Sequence, residues 1–345
     1  MHPHNRDRLG RARPDPITTL KITCDPGSGA KDLVCEEAAM CAIAGILFKR
    51  NEKSNIKMTT GRALTEMLDA TLHRGPDSAG WALYKKAEQG RLRLRFLINQ
   101  NGEAQNDIQN IKQELERLNG EIVEEETMGC SYGVKVVYQG DVQRFSHELG
   151  KTTQLLSLGS RLEIIKDVGQ PHDLAPKYNI YDFDGDHGLA HVRLATESGV
   201  HPDTSHPFWA CGFADVATVH NGQLTNYWIM RRRLERKGME FQTENDTELI
   251  AVYLAYQMSQ GATLEDALKT SLDELDGTFS YLVATGDSIG YAKDKLAAKP
   301  MVKYEDDELI AISSEEVGLN RLFPGRALDT SEPPPFTCGL WSREA

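Results

Sequence analysis

The chain of 345 residues carries 39 Lys and Arg against 51 Asp and Glu, a formal net charge of −12 at neutral pH. With 40% hydrophobic and 26% charged residues, it has the composition of a globular protein, which excludes a disordered chain, a fibre and a small disulfide scaffold. The acidic balance argues against nucleic-acid binding, which depends on clustered Lys and Arg. No apolar run reaches the length of a membrane-spanning helix.

Residues 1–40 differ from everything that follows. They are polar, rich in Arg and Pro, and without helical or strand periodicity. They also lack the apolar stretch of a secretory signal. We interpret them as a disordered leader, a propeptide or sequence upstream of the true start. The abrupt change at Met40 favours translation from that residue.

From residue 41 the hydrophobic pattern predicts alternating runs of strands and helices. In the first part of the chain it predicts strands at 41–48, 80–84, 91–98, 132–138 and 162–168, and helices at 59–73 and 104–118. After 187 it predicts strands at 187–196 and 215–224, helices at 225–236, 243–258 and 264–275, and four short strands, FSYLVAT, GYAKD, PMVKY and ELIAISS. Strands at both ends without βαβ alternation favour stacked sheets flanked by helices, an α+β class.

The structure of three further segments is predicted from their composition and weaker periodicity. The signals between 85 and 186 are weaker, and this stretch is predicted to be an inserted α/β subdomain. Within it, the acidic stretch 103–126 is interpreted as one solvated helix and its flank. Residues 324–345, with four Pro, are predicted to form an irregular tail.

The cysteines give no metal signature. None pairs as C-x-x-C and no His pair has zinc-finger spacing, so we expect no metal site in this chain. Their irregular spacing suits a reducing, cytoplasmic compartment. The six are Cys24, Cys35, Cys41, Cys130, Cys211 and Cys338.

Cys41 stands directly after a Met and opens a buried strand. If Met40 is the start and is removed, Cys41 becomes residue one, with a nucleophilic thiol and a free α-amine whose ordinary pKa is near 8. The amine could then accept the thiol proton. By position alone, Cys41 is better explained as a small buried hydrophobic residue.

Four more residues could serve acyl transfer. Asn221 and Gly222 offer an amide and a backbone N–H for an oxyanion hole, although an isolated Asn-Gly more often forms a hairpin turn. Arg193, at the end of an apolar strand, could bind a carboxylate or pair with a core acid. Asp246 could bind an ammonium group or simply stabilise a helix terminus.

Taken in order, these segments form a series. Cys41 is followed by HRGPDSAG (73–80), AHVRLATESG (190–199), VHNGQLTN (219–226) and ENDTELIA (244–251). This series resembles the class II glutamine amidotransferases, a family of N-terminal-nucleophile hydrolases, over residues 40 to about 320. Within HRGPDSAG, the residues Arg74 and Asp77 are interpreted as a structural ion pair.

The resemblance implies a four-layer αββα sandwich, with the amidotransferase domain at 41–323. It implies that Cys41 is the nucleophile and that Asn221 and Gly222 form the oxyanion hole. It also implies that Arg193 binds the α-carboxylate of glutamine and Asp246 its α-ammonium. Thr196 and Gly222 would line the same pocket.

One position departs from the family pattern, which has Cys-Gly-Ile where this chain has Cys41-Ala42-Ile43. If the family glycine needs a positive φ, Ala42 would be strained, and we expect reduced or unchanged activity.

The long insertion and the motifs VRLATES, HPF and TENDTE most resemble the stand-alone glutaminase subunit of glutamate-synthase and N-methylglutamate-synthase complexes. In those complexes FMN and iron–sulfur clusters belong to partner subunits, and we expect no cofactor in this chain. Ammonia would pass to such a partner. The sequence leaves two alternatives open: another N-terminal-nucleophile amide hydrolase, and a regulatory module with this fold but no turnover.

Overall fold

A computed structural model describes residues 41–49, 56–99, 102–194 and 201–343. The predicted leader at 1–40 lies outside these ranges. The strands are β1 (Ala42–Phe48), β2 (Ser78–Tyr84), β3 (Arg91–Leu97), β4 (Glu121–Met128), β5 (Ser131–Val137), β6 (Leu155–Gly159), β7 (Leu162–Val168), β8 (His187–Arg193), β9 (Phe208–Trp209), β10 (Ala217–Leu224), β11 (Gly277–Ala284), β12 (Ser288–Lys293), β13 (Val302–Glu305), β14 (Leu309–Ser313) and β15 (Thr337–Ser342). The helices are α1 (Thr60–Ala70), α2 (Ala104–Arg117), α3 (Val142–Gly150), α4 (Pro171–Lys177), α5 (Tyr227–Glu235), α6 (Asp246–Ser259), α7 (Leu264–Glu274) and α8 (Glu316–Leu322).

Two antiparallel sheets pack face to face. The first has the order β13-β14-β1-β8-β2-β7 and the second the order β15-β12-β11-β10-β9. Helices α1, α4 and α8 bury their apolar side chains against the outer face of the first sheet. Helices α5, α6 and α7 do the same on the second. The molecule is therefore an α+β protein with the predicted αββα layers.

Strand β1 occupies the middle of the first sheet, between β14 and β8. Its inner side chains, Ile43 and Leu47, join the core between the sheets, and Ala44 and Ile46 join the core under α1. Burial on both faces explains the continuous apolar run that predicts this strand. Gly45 lets the second sheet approach, since a Cβ there would lie 2.9 Å from a Leu282 methyl.

Helix α6 begins where its sequence predicts. The Asn245 side chain accepts a hydrogen bond from Thr247 N at 2.8 Å, as an N-cap does. Residues 249–255 are all at most 2% exposed, because the helix lies between the second sheet and its neighbouring helices. None of the helices in the described ranges is both long and apolar enough to cross a bilayer.

A third sheet, in the order β4-β5-β3-β6, accounts for part of the segment 85–186. Apolar side chains of α2 and α3 pack on it. On β7, however, Glu163 pairs with Arg95 at 2.5 Å and Arg93 at 3.1 Å, both on β3. Burial opposes the charge on Glu163, but Arg95 lowers the pKa of this carboxyl to about 2. This ion-pair cluster ties the third sheet to β7 in the first.

Two predicted segments are corrected. The acidic stretch 103–126 contains the predicted helix as α2, but its flank forms the strand β4, which the sequence pattern did not predict. Glutamates on both faces of β4 pair with cations, among them Glu124 with Lys135 at 2.6 Å and Glu125 with Lys112 at 2.7 Å, and this hides the alternation of a strand. The tail 324–345 is not irregular throughout, since β15 pairs with β12 and completes the second sheet.

Candidate active site

Cys41 immediately precedes β1 and is half-buried. Its carbonyl oxygen accepts hydrogen bonds from Asn221 Nδ2 at 3.0 Å and from Arg74 Nε at 3.2 Å. Its Sγ lies 3.9 Å from the carbonyl oxygen of Leu194, at the end of β8. Burial raises the pKa of the thiol, and the positive charge of Arg193 opposes that rise. The thiol is therefore protonated at neutral pH and needs a base to act as a nucleophile.

Ala42 follows as a fully buried residue of β1, and its φ is not positive. The strain expected from an alanine in the place of the family glycine does not arise in this backbone.

Asn221 and Gly222 lie inside β10, not in a turn, so the hairpin alternative for this Asn-Gly is wrong. Gly222 has φ +130°, and a Cβ there would lie 1.8 Å from the carbonyl oxygen of Thr278. Only glycine fits at this close contact with β11.

The register fixes the direction of the Gly222 N–H. Both main-chain groups of Phe279, opposite Gly222, bond with Asp294 on the far side of β11. Because main-chain groups alternate along an antiparallel strand, Asn221 is the residue that faces β11. The Gly222 N–H is trans to the Asn221 carbonyl, so it points away from β11, towards the edge of the sheet.

Asp246 is the first residue of α6. Its Oδ2 accepts a hydrogen bond from Leu224 N at 3.1 Å, and its Oδ1 lies 3.4 Å from His220 Nδ1. Burial disfavours the carboxylate, but His220 and these hydrogen bonds keep its pKa below the ordinary value. The helix terminus also favours a negative charge at this position. Asp246 therefore stays ionised at neutral pH.

A group of buried imidazoles lies behind Asp246. His206 Nε2 is 3.0 Å from Thr247 Oγ1, which lies 3.3 Å from His220 Nδ1. The His191 ring packs on the His206 ring with centroids 4.2 Å apart. Burial lowers the pKa of His191 to about 3 and that of His206 far below its usual range. No group of His, Cys, Asp or Glu in the described ranges is placed to hold a metal ion.

Arg193 is the last residue of β8. Its Nη1 donates to Thr204 Oγ1 at 2.9 Å. The HRGPDSAG segment lies directly beneath it, because Gly75 brings its backbone so close that a Cβ would lie 2.7 Å from the Arg193 carbonyl carbon. Thr196, the other predicted pocket residue, lies outside the described residues.

The predicted ion pair between Arg74 and Asp77 is wrong. Arg74 instead bonds Glu315 at 2.5 Å as well as the Cys41 carbonyl. Sequence reasoning also missed Ser314, whose Oγ accepts from Asn221 Nδ2 at 3.1 Å and from Ile43 N at 2.9 Å. Ser314 and Glu315 both lie in the segment AISSEEVGL, residues 311–319. Two polar residues at the end of the buried strand β14 were the signal that the sequence offered.

Comparisons with known proteins point the same way. The family model of a glutamine amidotransferase domain matches residues 191–321. A protein of Methanothermobacter thermautotrophicus that carries the name of a glutamine amidotransferase is 37% identical over 306 residues, covering 85% of this chain and 95% of the relative. The glutamine amidotransferase-like protein GlxB of Rhizobium meliloti is 33% identical, covering 88% of this chain and 99% of that protein.

Among solved structures, the glutamine phosphoribosylpyrophosphate amidotransferase of B. subtilis, complexed with ADP and GMP, has a TM-score of 0.55 and 18% identity. The match covers 88% of this chain and 47% of that one. At this identity the likeness supports the fold alone.

The close contact at Gly222 gives a testable prediction. Gly222→Ala should lower the free energy of unfolding by about 2–4 kcal/mol, because a Cβ adds overlap with β11 to backbone strain. Gly238→Ala is the matched control, since Gly238 has φ +84° and nothing within 4 Å of the added Cβ. It should cost only about 1 kcal/mol. Equal losses for both variants in chemical denaturation would contradict the close-contact argument.

Proposed function

This chain belongs to the class II glutamine amidotransferase family, and from that premise we propose that it hydrolyses L-glutamine to L-glutamate and ammonia at Cys41. We propose further that it delivers the ammonia to a separate, glutamate-synthase-like or N-methylglutamate-synthase-like partner. The observation that carries the proposal is the bond from Asn221 to the Cys41 carbonyl at 3.0 Å. This bond joins Cys41, the proposed nucleophile at the start of β1, to Asn221, the proposed oxyanion donor on the facing sheet.

Glutamine recognition rests on two opposite charges. Arg193 binds the α-carboxylate with the fork of its guanidinium, and Asp246 binds the α-ammonium. Both groups are held by neighbours, Arg193 by Thr204 and Asp246 by His220 and Leu224 N. Gly222 lines the same pocket, and the family resemblance assigns Thr196 to it as well. A substrate that lacks one of the two groups of an amino acid makes only one of these two contacts.

The chemical steps use the first residue of the processed chain. The α-amine of Cys41 removes the thiol proton, and the sulfur attacks the side-chain amide carbon of glutamine. The proton then passes to the amide nitrogen, the C–N bond breaks and ammonia leaves. Water attacks the γ-glutamyl thioester, glutamate leaves, and the thiol is restored.

The oxyanion is stabilised by the Asn221 amide and the Gly222 N–H. The amide nitrogen of Asn221 donates to the Cys41 carbonyl and to Ser314 Oγ, and one of these bonds gives way to the oxyanion during the reaction. The Gly222 N–H is already directed away from β11. Donors fixed in this way need little reorganisation as charge develops on the oxygen.

The choice of partner rests on the motif series VRLATES, HPF and TENDTE, which resembles glutaminase subunits of synthase complexes. FMN and iron–sulfur clusters would belong to that partner, and this chain would need no cofactor for amide hydrolysis. We also propose a cytoplasmic location, which the free thiols of Cys130, Cys211 and Cys338 suit.

The charge pair is tested by kinetics. Arg193→Ala and Asp246→Ala should each raise KM for glutamine strongly, because each removes a charge-assisted contact worth about 1.5–3 kcal/mol. Steady-state glutaminase assays measure the effect. Arg62→Ala, on an exposed face of α1 beside Glu66, is the control and should leave KM unchanged. Normal KM in either pocket variant would overturn the assignment.

The nucleophile is tested through its α-amine. A peptide nitrogen has no basic lone pair, so Cys41 cannot deprotonate its own thiol while Met40 is attached. Protein expressed from Met40 should read Cys-Ala-Ile at its N-terminus and be active, whereas protein with an unprocessed leader should be inactive. Cys41→Ser should abolish most turnover, and Cys338→Ser should not. Equal rates with and without the leader would rule out this mechanism.

The partner is tested by reconstitution. The isolated protein should hydrolyse glutamine slowly, and its rate should rise when a flavin-containing synthase subunit is added, because docking would prevent wasteful hydrolysis. The measurement is glutamate formation with and without that subunit. A full rate alone that the subunit does not change would count against the synthase partner and leave the glutaminase assignment intact.

A further inference from the structure

Lys166 carries a buried amine in the middle of the fold that no catalytic step above uses. It lies on β7 and is 3% exposed. Its Nζ donates to three main-chain carbonyls, those of Asp203 at 3.2 Å, Ser205 at 2.7 Å and Pro207 at 3.2 Å. Among the described residues, no carboxylate lies within ion-pair distance of this amine. Its three acceptors all belong to one segment, residues 203–207, which we name the 203–207 loop.

The same loop holds Arg193. Thr204 lies between two of the carbonyls that Lys166 binds, and its Oγ1 accepts the hydrogen bond from Arg193 Nη1 at 2.9 Å. That hydroxyl donates in turn to the His201 carbonyl at 3.0 Å. The Lys166 amine therefore holds the main chain of the loop, and the Thr204 side chain of the loop holds the Arg193 guanidinium. Displacing the loop would move the hydroxyl that orients the guanidinium.

The loop rests on a surface shaped to receive it. Gly80 on β2 pairs with Lys166 on β7, and a Cβ at Gly80 would lie 2.2 Å from the His206 carbonyl and 2.8 Å from Lys166 Cβ. The ammonium also lies 4.2 Å from the centre of the Phe208 ring, a favourable cation–π contact. Gly80 is the last residue of HRGPDSAG, so this motif contributes space for the loop.

We propose that Lys166 is a positioning residue for glutamine recognition, which holds the 203–207 loop so that Thr204 keeps the Arg193 guanidinium oriented towards the substrate carboxylate. This inference rests on the proposed function, since it takes Arg193 as the carboxylate ligand. Lys166 itself does not touch the substrate. Its effect passes through main-chain carbonyls, Thr204 and then Arg193.

The electrostatic surroundings show what the buried amine costs. Burial lowers the pKa of Lys166 to about 7, against the attraction of Asp203 and Glu248 and together with the repulsion of Arg193. His206 adjoins it as a buried imidazole. A methionine of similar length would fill the same space without this desolvation cost. An ammonium group at this position is therefore not explained by packing alone. The three carbonyl bonds offset the cost and require the donors of a lysine.

The test is a comparison of KM with kcat. Lys166→Met should raise KM for glutamine about tenfold or more, as expected when a hydrogen-bonded support of a binding group is lost, while kcat stays within about twofold. The matched control is Lys177→Met, which removes an exposed amine paired with Asp167 at 2.7 Å on the neighbouring position of β7. That control should change neither constant. An unchanged KM in Lys166→Met, or a loss confined to kcat, would overturn the inference.

A double-mutant cycle separates positioning from general weakening. Thr204→Val removes the acceptor of Arg193 and should by itself raise KM. If Lys166 acts through Thr204, adding Lys166→Met to Thr204→Val should raise KM much less than it does in the unaltered protein. Full additivity of the two effects would overturn the inference. Thermal unfolding of each variant verifies that the compared proteins are folded.

A second variant covers the case in which Lys166→Met does not fold. Gly80→Ala displaces the same loop by steric overlap with the His206 carbonyl and removes no charge. It should also raise KM with little change in kcat, and a normal KM would overturn the inference. The proposed function fails separately, through a normal KM in Arg193→Ala. If Arg193→Ala raises KM while Lys166→Met and Gly80→Ala both leave it normal, the proposed function stands and only the role of Lys166 is rejected.

Discussion

The hydrogen bond from Asn221 to the Cys41 carbonyl is the contact on which the site depends, because it crosses between the two sheets. Cys41 heads a strand of the first sheet, and Asn221 lies within a strand of the second. The same amide reaches Ser314 at the end of β14, and Arg74 binds the same carbonyl from the other side. The position of Cys41 is therefore set by side-chain hydrogen bonds to its main-chain carbonyl, at the start of β1. A change in how the sheets pack would move the proposed nucleophile even if every side chain were retained.

The glycines of the motifs let main chains approach closely, and Gly222 also adopts a φ of +130° that other residues rarely reach. Gly75 admits the backbone of Arg193, Gly80 admits the 203–207 loop, and Gly222 admits β11. Each lies where two main chains meet more closely than side chains permit. In the segment HRGPDSAG, Arg74 binds the Cys41 carbonyl. Two glycines of the same segment, Gly75 and Gly80, pack against the strand that carries Arg193 and against the 203–207 loop. This explains why a stretch to which the proposed mechanism assigns no nucleophile or base accompanies the proposed catalytic residues.

Much of the architecture could be predicted from the sequence, because strands buried on both faces read as apolar runs and helix α6 carries its own cap. The errors have physical causes. Asn-Gly is typical of a turn, and only the tertiary pairing with β11 keeps it in a strand. Strand β4 carries glutamates on both faces, since cations of neighbouring elements pair with them, so no alternation is visible. Lys166 gave no signal either, because its partners are main-chain carbonyls about forty residues away.

The buried imidazoles bear on how the pocket would select substrates by charge. His191 and His206 stay neutral because their desolvation outweighs protonation, so they add no positive charge behind Asp246. The positive partner of Asp246 in this layer is instead His220, which lies 3.4 Å from the carboxylate and lowers its pKa. The charge that His191 and His206 contribute to this end of the pocket therefore stays at zero across the neutral pH range. Selection between a zwitterion and a simple carboxylic acid amide would then depend on the charge of Asp246 and its direct neighbours, and not on protonation of the two imidazoles behind them.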